Sequence, residues 1–278
     1  MRSILRRVAA ILVLIAAATL IAACGKSAHF GGAKHGGAKT ADSAGAGRPL
    51  TKAQAKKLAA ALNLRARDLP GFTVAKERQH TTRAEQGREY ELLRCMGGRT
   101  SSDALAEASS ESFERHAQVV RVSVSSAVTI VRTPAQAEGE LKAIRSDHTR
   151  VCLTRFMGEL LAGQTHGGAS AKLVSISKAT PSVAGTSGTF AWRIVGEVTL
   201  QGVQVPFYIE LVGFSRGQDE VELLSFGLPV PFPAAAEQEL FALLVERAKA
   251  GGPPKAGKGA RPPKTPSLSG PRRVQVSL

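Results

Sequence analysis

The chain has 278 residues, 43% of them hydrophobic, which allows one domain of ordinary size with its own core. Its net charge of +15 would suggest nucleic acid or a membrane as partner. Most of that charge lies at the ends: Arg2, Arg6 and Arg7, then Lys26, Lys34, Lys39 and Arg48 offset by Asp42, and six lysines and arginines after residue 250. Residues 50 to 250 keep only +3, so no folded basic face is implied and nucleic acid is excluded as the expected partner.

In chain order, Arg2, Arg6 and Arg7 precede an apolar run from Val8 to Leu20, the charged and apolar parts of a secretory signal. Leu20-Ile21-Ala22-Ala23-Cys24 then resembles the lipobox of bacterial lipoproteins, an aliphatic residue and small ones before a cysteine that is lipidated. The resemblance implies removal of residues 1–23 and a new N-terminus at Cys24. Diacylglyceryl and acyl groups such as palmitate would tether it to the outer face of the cell membrane. Plain secretion and an uncleaved anchor are the alternatives; Val8 to Ala23 is sixteen residues, short of the ~20 that cross a bilayer core. With Cys24 lipidated, Cys95 and Cys152 remain as a disulfide pair in an oxidising compartment. The bridge closes a loop worth roughly 4 kcal/mol by chain entropy. Two unrelated buried thiols are the alternative.

Residues 24–49 are rich in Gly, Ala and Lys, too poor in apolar side chains for a core, and are expected to be a flexible spacer. Gly36-Gly37-Ala38-Lys39-Thr40 lacks the Gly-Lys pair and the preceding strand of a phosphate loop. His29 and His35 in this spacer carry no metal assignment. Thr51-Lys52-Ala53-Gln54 has capping-box form and predicts a helix carrying Leu58 and Leu62, ended before the Pro70-Gly71 turn. A strand is expected over Phe72 to Ala75, the polar run to Arg94 is ambiguous, and Cys95 is expected in a loop beside Gly97 and Gly98. Val120, Val122, Val124, Val128 and Ile130 share one parity, predicting a long strand with one buried face. Thr133-Pro134-Ala135-Gln136 opens a second helix, with Leu141, Ile144, Val151, Phe156 and Leu160 near helical spacing and a break around Asp147 to Arg150.

The C-terminal half reads as a meander: a weak strand from Leu173 to Thr180, then two strands around a Gln201-Gly202 turn, then Val221 to Phe226. Pro229 to Pro233 ends the sheet, and Leu240, Phe241, Leu244 and Ala248 mark a last amphipathic helix. Alternating strands joined by short turns predict an α+β domain over residues 50–250, an antiparallel sheet packed against about three helices as a two-layer sandwich. Residues 251–278, rich in Pro, Lys and Arg, are expected to be a disordered tail.

Several stretches carry a further resemblance: Asp68-Leu69-Pro70-Gly71-Phe72, Ser125-Ser126-Ala127-Val128-Thr129-Ile130, the helix leading to Cys152-Leu153, and the last helix with Glu246-Arg247. Over roughly residues 55 to 250 the pattern resembles actinobacterial exported lipoproteins and the extracellular sensor domains of receptor serine/threonine kinases. The resemblance implies a curved-sheet sandwich with a cleft, as in PsbP-like proteins, and ligand sensing or binding in the cell envelope. Those kinase domains often carry two disulfides, where this chain has one cysteine pair.

No nucleophile elbow, zinc-protease motif or phosphate loop is present, and no cofactor or metal motif. Ser146-Asp147-His148 are adjacent and point apart on a helix, so they form no relay with one another. His116 and His148 could meet Glu111 or Asp147 in space, which leaves an uncharacterised hydrolase as a minor alternative. The main expectation is a monomeric, non-enzymatic binding domain whose ligand, a lipid or cell-wall precursor, lies against Trp192, Phe207, Tyr208, Phe214 and Phe226, residues that equally suit a core. The other is a structural role in which the basic tail contacts anionic envelope polymers.

Overall fold

The computed structural model describes residues 50–75, 83–97, 104–162, 170–181, 183–200 and 202–251. The expected signal peptide with Cys24, the spacer and all but the first residue of the expected tail lie outside the described residues.

Helix α1 (Lys52–Leu62) starts where the capping box requires: Gln54 N donates to Thr51 Oγ1 and Thr51 N to Gln54 Oε1. It buries Ala55, Ala59 and Leu62. A 3-10 turn (Ala66–Asp68) leads to the expected Pro70-Gly71 turn, where Gly71 adopts φ 81°. The strand expected next is only two residues long, β1 (Thr73–Val74). The ambiguous polar run is helix α2 (Arg83–Cys95), and Cys95 is its last residue instead of a loop residue. Strands β2 (Ala104–Ser109) and β3 (Phe113–Ala117) follow, then the long strand β4 (Val120–Val131). Helix α3 (Pro134–Ile144) is capped by Thr133, whose hydroxyl accepts from Gln136 N at 3.1 Å. The break falls at Arg145-Ser146, just before its expected place, and α4 (Asp147–Ala162) starts there. The meander is β5 (Ser170–Ala179), β6 (Gly188–Leu200), β7 (Val203–Arg216) and β8 (Asp219–Leu228), and α5 (Ala234–Lys249) closes the described domain.

All eight strands join one open antiparallel sheet in the order β1-β3-β4-β8-β7-β6-β5. Strand β4 is long enough to share one edge between two partners: Val120–Val124 pairs with β3 and Ala127–Val131 with β2. The α+β class and the antiparallel sheet are as expected. The helical cover is larger, five helices among the described residues, and it lies on both faces of the sheet. Strands β7 and β8 explain this, because both parities are apolar. Phe207, Ile209, Leu211, Leu224 and Phe226 face α2, α3 and α4, while Val212, Phe214, Val221 and Leu223 face α1 and α5. A sheet buried on both sides needs both sets of side chains.

The Cys95–Cys152 disulfide, Cα–Cα 5.8 Å, ties the end of α2 to α4. No described helix is long and apolar enough to cross a membrane.

Candidate functional site

Of the aromatics expected to contact a ligand, Phe214 borders the cleft described below, and Trp192, Phe207, Tyr208 and Phe226 do not. Trp192, Phe207 and Phe226 are at most 2% exposed and belong to the core under α3 and α4, while Phe214 is as buried on the opposite face. Tyr208 is half-buried. Strand alternation marks an inward parity, and a packed core satisfies that parity as well as a cleft would. Trp192 is structural in a specific way: its indole Nε1 donates to Ile144 O at 3.0 Å, satisfying a carbonyl at the end of α3.

A small, half-open cleft lies where α3 crosses the hairpin of β7 and β8. Ser215 and Glu220 face each other across that hairpin, and Glu222 lies two residues further along β8 on the same parity. Glu140 comes down from α3, its Oε1 accepting from Gln136 Nε2 at 2.9 Å. Leu141, Ile144 and Phe190 form the apolar wall. Burial first, and then the Glu140 carboxylate and Glu222, push the Glu220 carboxyl up to about 9. Ser215 is 2% exposed, and its hydroxyl has no hydrogen-bond partner among the described residues; neither has Glu220 Oε1. Buried polar atoms are normally satisfied, and here two that are not lie in one cleft.

The chemistry of the cleft is anionic and one-sidedly apolar. Among the described residues, the donor groups that converge within 4.8 Å as a metal site would require are Cys95, His148 and Cys152. The three cleft glutamates are not such a set. Sequence reasoning missed Glu140, Ser215, Glu220 and Glu222. The signal was there in part: Glu220 and Glu222 share the parity of Leu224 and Phe226, placing acids on a strand face that otherwise goes inward.

A second acidic cluster lies beneath α5. Glu237 is 9% exposed and accepts from the Ser225 hydroxyl at 2.7 Å, and Arg193 Nε donates to Glu210 Oε1 at 2.9 Å. Burial, then the neighbouring Glu210, push Glu237 up to about 7, against the hydrogen bond from Ser225. These bonds hold α5 on the sheet.

The remaining polar candidates are separated by the fold. Ser146 accepts from Thr149 N at 3.3 Å at the start of α4, Asp147 pairs with Lys178 at 2.7 Å, and His148 lies beside the disulfide. His116 pairs with Glu114 at 3.2 Å on β3.

No family model matches the chain, and no curated protein matches it. Among solved structures, the extracellular domain of PknH from Mycobacterium tuberculosis is similar at 10% identity and a TM-score of 0.33, over 73% of this chain and 98% of that one.

Proposed function

We propose that this chain is an exported domain, held at the outer face of the membrane by acyl groups on Cys24, that binds a small organic cation in the cleft under α3. The leader and the Leu20–Cys24 motif support the address. The observation that carries the ligand chemistry is the pairing of a buried, unpartnered Ser215 hydroxyl with Glu140, Glu220 and Glu222 around one cleft. An ammonium or guanidinium head would donate to the carboxylates while its apolar body lies on Leu141, Ile144 and Phe190. The role this reading assigns to the cleft is binding.

Glu220 holds its proton until a cation arrives, so binding releases a proton and tightens as pH rises toward about 9. Calorimetric titration of the full chain with alkylammonium and alkylguanidinium ions should show one saturable site. Glu220→Gln should weaken it by about 1.5–3 kcal/mol, the range for hydrogen bonds to charged groups. Binding unchanged by Glu220→Gln, or no saturable binding in either series, refutes the ligand assignment. Cys24→Ala should separately abolish incorporation of labelled fatty acid; continued labelling refutes the address.

A further inference from the structure

The geometry points to a second site, independent of the cleft. Reduction of the Cys95–Cys152 disulfide turns its two sulfurs and the His148 imidazole into a three-ligand site for a thiophilic divalent cation, of which Zn²⁺ is the best match. His148 and Cys152 are one turn apart on α4, the spacing that puts two ligands on one side of a helix, and Cys95 comes from the end of α2. The three donor atoms already lie within 4.8 Å of one another. Two thiolates on one zinc ion sit about 3.7 Å apart, given Zn–S bonds of about 2.3 Å. The 5.8 Å between the two Cα atoms leaves room for that separation by side-chain rotation alone.

Two facts argue that His148 is available. It is exposed, and it makes no hydrogen bond or ion pair with another described residue, unlike its neighbours Ser146 and Asp147. Its exposure also leaves the fourth tetrahedral position open to water, the arrangement of zinc sites that exchange ligands. The steps balance. A dithiol reductant donates two electrons and two protons to the disulfide and leaves as its own disulfide. The metal ion then displaces the two thiol protons, while neutral His148 donates its lone pair. In the oxidised protein the same sulfurs are spent on each other, so metal uptake is gated by redox state.

The test uses the full chain carrying Cys24→Ser, so that no third thiol competes, with Co²⁺ as the optical probe. After reduction by a phosphine, one equivalent of Co²⁺ should give an intense thiolate-to-metal band in the near ultraviolet that Zn²⁺ abolishes by displacement; the oxidised chain should give none. His148→Ala should weaken Zn²⁺ binding by about tenfold or more, as judged against the lower range for ligand-supporting residues, with an unchanged circular dichroism spectrum in the oxidised state. A reduced chain without the thiolate band overturns the proposal, as does His148→Ala binding at unaltered affinity. If reduction lowers the helical signal, Zn²⁺ should restore it, and failure to do so counts equally against the site.

Discussion

At the scale of single residues, the most consequential side chain is Arg247. It is 2% exposed, donating Nη1 to Asn63 O and Nη2 to Asp68 Oδ1, both at 2.7 Å. Asn63 Oδ1 in turn accepts from the Ser126 hydroxyl, which itself accepts from Leu64 N, so one polar chain joins α5, the end of α1 and β4. Breaking a buried pair from one side strands the other charge. Asp68→Ala should therefore cost about 3–5 kcal/mol in urea denaturation. Replacing both partners with apolar residues, Asp68→Leu with Arg247→Met, should recover much of that loss. Glu237 sets a pH dependence. Its folded-state carboxyl titrates near 7, above the ordinary 4.5, so the folded protein holds a proton that the unfolded chain has already lost. Stability from this group is present below about 4.5 and is lost as pH climbs through 7. Melting temperature should fall between pH 5 and pH 8, and Glu237→Gln should flatten the slope; an equal slope in the variant refutes the assignment.

Among elements, α2 depends most on a covalent tie. It carries Arg88, Tyr90, Glu91 and Arg94, none buried, and contributes Leu92, Leu93 and, just past its end, Met96 to the core. That polar composition is why the sequence left the segment ambiguous: apolar periodicity, the main helix signal, begins only in the last turn. The disulfide holds this short apolar end against α4. Its loss in Cys95→Ala paired with Cys152→Ala should cost about 4 kcal/mol on the chain-entropy account, measured by denaturant titration. Strands β6 and β7 use a different device. Phe190 lies opposite Gly213, and Phe207 opposite Gly196, each ring occupying the space where a Cβ would stand. The cross-strand register is therefore fixed by shape as well as by hydrogen bonds.

At the scale of the whole molecule, the two-sided sheet orders local stability. Strands β4, β7 and β8 are covered from both faces, whereas β5 is an edge strand with most of its residues exposed. Amide hydrogens in β8 and the centre of β7 should exchange slowest, and those of β5 early, in native-state exchange followed by mass spectrometry. Equal protection of β5 and β8 contradicts that ordering.

The sequence by itself determined the local pieces. Thr51 and Thr133 announced their helices through cap chemistry, the valines of β4 announced a strand by parity, and the residue count singled out Cys95 and Cys152. These are legible because each depends on neighbours within a few positions, or on a cysteine tally. Tertiary structure alone decided which faces are buried and where a ligand fits. Trp192, Phe207, Phe214 and Phe226 became core because helices from distant parts of the chain cover both sides of the sheet. The cleft exists because Glu140 of α3 meets Ser215, Glu220 and Glu222, about 80 residues away, across a packing contact that no local pattern encodes.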